Sequence, residues 1–226
     1  MGYTYVISDI HGHYDLFIKL LENIGFSDED KLYILGDMID KGNKSIEILN
    51  YIINKTNVYA VIGNHEYEFL KYYDHLMQDY DGNDIEILDK LKTFFGDDRL
   101  TWEIVDYLDN LPSFVESDCF IGVHAGFALD ENNVILPLDR QNLNKMVNDR
   151  FFKSREVINP FGKPVLFGHT PCCYENQTGE FIKTPNILSD DILDYNKIRL
   201  DTGASVTKML GVLRIEDMKE IYVSEN

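Results

Sequence analysis

Basic residues are scarce in this chain. Only 21 lysines and arginines stand against 39 aspartates and glutamates, a formal net charge of −18 over 226 residues. Non-specific nucleic-acid binding depends on neutralising phosphates with Lys and Arg, so nucleic acid is not an expected partner. Cysteine is nearly absent as well. Cys119, Cys172 and Cys173 are an odd number with two adjacent, which is no disulfide framework, and they predict a reducing, cytoplasmic setting. No apolar run approaches the ~18 residues that a membrane span requires, so no membrane partner is expected. A strand pattern starts almost at once, with Asp9 close behind, and leaves no room for a signal-peptide pattern. Internal repeats and low-complexity linkers are also missing.

What is present suits a packed globular protein. Hydrophobic residues make up 44% and aromatic residues 12%. The length fits one domain spanning residues 1–226, as a monomer or a dimer. Tyr3 to Ser8, Lys31 to Leu35 and Val58 to Ile62 read as buried strands. Between them Tyr14 to Ile24 has helix spacing. Ser45 to Ile53 does too, with Ile46, Leu49 and Ile53 inward and Asn50 interrupting the stripe. This alternation predicts parallel strands with crossover helices. Residues 67–111 are acidic and rich in helix formers, and are read as a helical insertion over one end of the sheet. After Pro112 come strands at Phe114 to Glu116, Cys119 to Val123 and Val165 to Phe167. Thr178 to Tyr195 reads as a long loop. Lys197 to Leu200, Thr207 to Ile215 and Ile221 to Val223 read as an antiparallel tail.

Each early strand ends in a polar cluster: Ser8-Asp9-Ile10-His11-Gly12, Gly36-Asp37-Met38-Ile39-Asp40-Lys41-Gly42 and Gly63-Asn64-His65-Glu66. Two later strands end Val123-His124-Ala125-Gly126 and Phe167-Gly168-His169-Thr170. In open α/β sheets ligands bind outside the carboxyl ends of strands, so five clusters at that edge can converge on one site. Asp, Asn and His offer hard oxygen and borderline nitrogen donors, which suit Mn, Fe or Zn. Four of the six histidines (His11, His65, His124 and His169) lie in these clusters, while His13 and His75 do not. Glu66 is expected to support the first turn of its helix, where a carboxylate is favoured. Tyr72, Tyr73 and Tyr80, with the acid run Asp79 to Asp84, read as a solvated face and loop. Asp201 reads as fixing a turn near the site.

The order of these motifs resembles the calcineurin-like metallophosphoesterases and, more narrowly, the bacterial and phage serine/threonine phosphoprotein phosphatases. That family carries aspartate-x-histidine, GDxxDRG, GNHE, a histidine-glycine motif and a late GH, and all five occur here between Asp9 and His169 with one substitution. Leu111 to Gly126, Lys163 to Pro171 and Leu200 to Ala204 extend the resemblance. It implies a four-layer α/β/β/α sandwich of two mixed sheets flanked by helices. It implies two divalent metal ions, manganese first, with Fe, Zn, Ni or Mg as alternatives. Asp9, His11 and Asp37 would hold one metal, and Asp37, Asn64, His124 and His169 the other. His65 would be the general acid, oriented and charged by Asp40. A bridging hydroxide between the metals would attack phosphorus directly, with no phosphoenzyme. The family uses no cysteine ligands, so Cys172 and Cys173 are not expected to bind metal.

Lys41 stands where the family has arginine. A lysine binds phosphate as a point charge on a flexible stem, without the planar fork. Arg150 is the expected second phosphate ligand, with Arg155 as its rival. The bound metal also answers a difficulty of charge, because so acidic a protein repels phosphorylated substrates at long range. The expected activity is hydrolysis of phosphate monoesters, phosphoserine and phosphothreonine in proteins above all, or of a small phosphate ester. The alternatives are a symmetrical dinucleoside tetraphosphate (Ap4A) hydrolase and, outside enzymes, a metal-binding scaffold with a degraded phosphatase site.

Overall fold

The computed structural model describes residues 2–79, 85–96, 100–186 and 194–225. Strands β1 (Thr4–Ile7), β2 (Lys31–Ile34) and β3 (Val58–Ala60) alternate with helices α1 (Tyr14–Ile24), α2 (Ser45–Ile53) and α3 (Asn64–Asp79). The three strands run parallel, with Thr4 opposite Lys31 and Leu32 opposite Val58. Helices α4 (Ile85–Phe95) and α5 (Trp102–Asp109) follow, then strands β4 (Phe114–Glu116) and β5 (Ile121–Val123). The rest comprises α6 (Leu143–Asn148), β6 (Val165–Phe167), α7 (Cys173–Asn176), β7 (Ile182–Pro185), β8 (Tyr195–Arg199), α8 (Ala204–Thr207), β9 (Met209–Arg214) and β10 (Lys219–Ser224).

These strands form two five-stranded mixed sheets, in the orders β10-β9-β1-β2-β3 and β4-β5-β6-β8-β7. Their packing follows from the two-residue period of strands. In β1, Val6 faces the other sheet and packs in a cluster with Leu35, Phe120, Leu166, Ile198 and Leu213. Its neighbours Tyr5 and Ile7 face outward onto Phe17 and Leu20 of α1 and Ile48 and Ile52 of α2. On the far side of the second sheet, Ile121, Val123, Val165 and Phe167 pack under Met146 of α6 and Phe127 and Phe152. The result is the expected sandwich, with an outer layer on the second sheet made of α6 and irregular chain.

Several local expectations change. The inward residues of α2 are Ile48, Leu49 and Ile52, with Ser45, whereas Ile46 and Ile53 are half-buried and Asn50 is exposed. Asn50 therefore interrupts nothing; the buried stripe runs one residue to its side. Thr178 to Tyr195 is not one long loop, because β7 lies inside it and Tyr195 opens β8. Residues 187–193 are outside the described residues. The tail is antiparallel at the β9–β10 pair, where β9 meets β1, and where β8 meets β7. The strand at Lys197 to Leu200 lies in the other sheet, however, where its second neighbour β6 runs parallel to it, and Thr207 belongs to α8. Tyr72 and Tyr73 are half-buried, with ring centroids 6.5 Å from Phe94 and 5.8 Å from Phe69 respectively. Tyr80 and most of the Asp79 to Asp84 run lie outside the described residues.

Candidate metal centre

The five polar clusters meet at the carboxyl edges of the parallel strands. Their backbones share an uncommon feature. Asp9, His11, Asp37, Asp40, Lys41 and His169 all have positive φ, between +48° and +69°. Asp and His tolerate this left-handed region better than most residues, yet each instance costs about 1–3 kcal/mol and persists only where surrounding structure enforces it. Close approach of glycines does part of that enforcing. A Cβ on Gly168 would lie 1.9 Å from Ser8 Oγ and 2.0 Å from Asp9 Oδ2, and one on Gly63 would lie 2.3 Å from Asp37 Oδ1. Both positions must lack a side chain for the carboxylates to stand where they do.

Asp37 occupies the centre. One of its oxygens lies 3.5 Å from His11 Nε2 and 3.7 Å from His65 Nε2, and the other lies 3.4 Å from His124 Nε2. Two groups with metal-ligand spacing share this carboxylate: His11, Asp37 and His65 on one side, and Asp37, His124 and His169 on the other. Asp9 joins the first side, with Oδ1 3.9 Å from His11 Nε2. It is fixed by the Ser8 hydroxyl and by the backbone N–H of His169. Asn64 joins the second side, its Oδ1 3.0 Å from His124 Nε2 and 2.8 Å from His169 Nδ1.

The donor chemistry fits cations. His11 Nδ1 donates to Ile39 O at 3.1 Å and His124 Nδ1 to Leu35 O at 2.8 Å, so each ring turns a bare Nε2 lone pair inward. Burial, reinforced by neighbouring positive charge, pulls His11 and His169 down to about 3, and burial also lowers His124, so these rings are neutral. His124 Nε2 then faces two acceptor oxygens, Asn64 Oδ1 at 3.0 Å and Asp37 Oδ1 at 3.4 Å, with His169 Nδ1 at 3.2 Å. Two oxygens and two ring nitrogens converge here from separate chain segments, a donor set that suits a divalent cation. The carboxylates carry the same signature. Burial, then the charges of Asp201 and Asp37, push Asp9 well above the usual range. Burial also opposes ionisation of Asp37, but the raised His65 ring and the His65 backbone N–H favour it, and that group is held well below its ordinary value.

His65 differs from the other three. Its Nδ1 lies 2.8 Å from Asp40 Oδ2. Burial works against the charged ring, yet this hydrogen bond and the Asp37 charge prevail and raise its pKa. Asp40 is lowered in return: burial opposes its charge, but the hydrogen bond to His65 overcomes it. Glu66 departs from expectation. It does not serve only its own helix turn, because its wholly buried carboxylate accepts backbone N–H groups from Asp37, Met38, Ile39 and Gly63 at 2.9, 2.7, 3.2 and 2.9 Å. One side chain thus shapes the loops after β2 and β3 together. Burial and then the Asp37 charge push its carboxyl up to about 7, against the pull of these donors. Sequence reasoning also missed Ser8 and the carbonyls of Leu35 and Ile39, because backbone acceptors leave no residue signature.

The remaining predicted residues separate. Asp201 is buried and accepts the Gly203 N–H at 2.8 Å, the turn expected of it. Lys41 stands on the His11 side, its Nζ 2.7 Å from His11 Nε2. Arg150 is near enough to His169 for its charge to lower that ring. Arg155 instead lies 6.0 Å from the Phe151 ring and lines a cavity of about 150 Å³ with Thr184 and Asn196. Cys172 is buried and its thiol is pushed up to about 12 by burial, so no thiolate competes for metal. Beside the centre, α3 extends the face of Asn64 through Tyr67, Lys71 and Asp74. With Leu111 and Leu143 these line a cavity of about 350 Å³, where Lys71 Nζ sits 4.0 Å from the Tyr67 ring centroid.

Known proteins resemble the chain in sequence and in fold. A symmetrical bis(5'-nucleosyl)-tetraphosphatase of Actinobacillus succinogenes is 35% identical over 131 residues, 56% of this chain and 45% of that protein. The chain thus spans about half the length of such relatives. Among solved structures, a candidate diadenosine tetraphosphatase superposes with a TM-score of 0.72 at 18% identity, covering 100% of this chain and 94% of that one. A mutant of a cold-active protein tyrosine phosphatase superposes at 0.64 with 17% identity, over 99% and 78% of the two chains. At such identities the likeness is one of fold. The profile of the calcineurin-like phosphoesterases matches residues 3–198, most of the chain, and this protein belongs to that family.

Proposed function

We propose that the chain is a metal-dependent phosphomonoesterase acting on phosphoserine or phosphothreonine. The observation that carries this reading is the His65–Asp40 pair, 2.8 Å apart, with His65 raised toward its charged form. An alkoxide leaves phosphorus poorly unless a proton reaches it as the bond breaks. A phosphate leaving from an anhydride is already a stable anion and has little need of that proton. A histidine held charged beside the ligand cluster therefore suits an ester of an alcohol.

The cofactors of this reading are two divalent cations, one held by Asp9, His11 and Asp37 and one by Asp37, Asn64, His124 and His169. Bound there, they supply Lewis-acid charge for the phosphoryl oxygens and acidify water. The chain's own groups do the rest. Asp40 fixes the proton on His65 Nδ1, so His65 Nε2 presents its own proton toward the centre and delivers it to the leaving oxygen. Arg150, on the His169 side, and Lys41, on the His11 side, hold phosphoryl oxygens in the orientation for attack.

The second reading is hydrolysis of a symmetrical dinucleoside tetraphosphate. The names of the relatives favour it, as does the cavity along α3, where Tyr67 offers a stacking face and Lys71 a charge. The decisive experiment incubates metal-loaded protein with a phosphoserine peptide and, separately, with diadenosine tetraphosphate, then resolves the products. Release of inorganic phosphate from the peptide supports the first reading. Turnover of the dinucleotide alone overturns it.

A further inference from the structure

We propose that Lys41 is a tethered competitor for the metal ion at His11, so that the first metal position fills only when this ammonium withdraws. The inference rests on the metal-centre reading above and concerns how that centre is loaded.

The loop geometry brings the lysine in. Gly42 lies against the backbone of Gly12, where a Cβ would meet Gly12 carbonyl carbon at 2.5 Å, and its N–H donates to His11 O at 2.9 Å. The loop after β2 is thus clamped onto the loop after β1, and Lys41, at φ +65°, stands beside His11. The stem of Lys41 is exposed, yet its Nζ reaches in to 2.7 Å from His11 Nε2. Because His11 Nδ1 is engaged with Ile39 O, that Nε2 contact is ammonium donating to an imidazole lone pair. The other neighbours of this lone pair are carboxylate oxygens, Asp37 at 3.5 Å and Asp9 at 3.9 Å. The ammonium therefore answers the negative charge that a divalent cation would answer in its place.

One lone pair cannot serve both. Entry of a cation between His11, Asp9 and Asp37 displaces Nζ toward solvent, above the centre, where an anionic phosphoryl group lies when substrate is bound. Metal and phosphate then favour the same withdrawn position of Lys41. Each strengthens binding of the other, and the coupling is reciprocal. No corresponding tether touches the second position, since no lysine is hydrogen-bonded to His124, His169 or Asn64 among the described residues.

The test measures metal affinity rather than turnover. Metal-free wild type, Lys41→Met and Lys41→Gln are titrated with Mn²⁺ by calorimetry, with and without inorganic phosphate, and bound metal is counted by elemental analysis. In the wild type the inference expects a weaker and a tighter site. It expects both variants to tighten the weaker site by about tenfold or more and leave the other unchanged. Phosphate should tighten the weaker site in the wild type and do much less in the variants. Two equivalents bound with wild-type affinities in both variants would overturn the role of Lys41 and leave the metal centre intact. Failure of every protein to take up two equivalents would overturn the centre itself, and this inference with it.

Discussion

Replacing Glu66 with glutamine tests how the centre is held more sharply than replacing any ligand. Its two oxygens accept two N–H groups each, Met38 and Ile39 on one and Asp37 and Gly63 on the other. Glutamine keeps one accepting oxygen and presents an NH₂ group where the other stood, so two buried N–H donors face a donor. At roughly 1–3 kcal/mol for each stranded group, Glu66→Gln should cost about 2–6 kcal/mol. In a domain of this size that lowers Tm by on the order of 10 °C. The damage has a direction. If the amide takes the Oε2 place, the donors lost belong to Asp37 and Gly63, one of which is the central ligand at φ +54°. Metal uptake should therefore fall along with Tm. Scanning calorimetry at pH 8, with and without Mn²⁺, together with elemental analysis, reads both effects. A Tm within about 2 °C of wild type and full metal content would refute the claim that Glu66 shapes the two loops.

Three further outcomes are expected. Gly168→Ala, by forcing a methyl group into Ser8 and Asp9, should lose metal from the His11 side first, which elemental analysis shows as a drop in stoichiometry while circular dichroism is preserved. Asp40→Asn should slow phosphopeptide hydrolysis about 10²–10⁴-fold without loss of metal. It should also move the alkaline limb of the rate profile to lower pH, because His65 must be protonated and Asp40 is what raises its pKa; an unmoved limb would remove His65 as the acid. Glu175 is held down to about 2 from its ordinary 4.5, first by the hydrogen bond from Arg199. A depressed carboxyl stabilises the fold above its unfolded pKa and loses that contribution as pH falls toward its folded one. The Tm deficit of Glu175→Gln should thus be full at pH 7 and narrow between pH 4.5 and 3; a constant deficit would assign the effect to packing alone.

How much of this was legible in the sequence depends on the range of each interaction. The six candidate ligands gather where the motifs place them because each follows a short strand whose pattern is local, and chain order brings Asp9, Asp37 and Asn64 to one edge. Helix α1 was readable to its ends for the same reason, since Leu16, Phe17, Leu20 and Leu21 lie on one face. The reach of Glu66 escapes a sequence reading because three of its four partners sit 27 to 29 residues back in a neighbouring loop and all are backbone groups, which no side-chain pattern records. The sheet of the strand at Lys197 to Leu200 is not legible because its neighbour β6 lies about 30 residues back and its other neighbour β7 falls in a stretch that reads as loop. Its outward residues, Lys197 and Arg199, also disguise burial: Lys197 Nζ is capped by the carbonyls of Phe152, Lys153 and Arg155, and Arg199 is paired with Glu175. The spacing of α2 was mistaken by one position because isoleucines occupy both the buried stripe and its margin.

The order of strands in the first sheet has a consequence for synthesis. β1 sits third in the row, yet its neighbour β9 is made about 200 residues later. At a ribosomal pace of ~5–20 residues per second, the open side of β1 goes unpaired for roughly 10–40 s of translation. During that interval the nascent chain carries a sticky flank that other chains can pair with. Products that stop short of Met209 never close it, so premature termination should yield aggregates rather than a trimmed but working molecule.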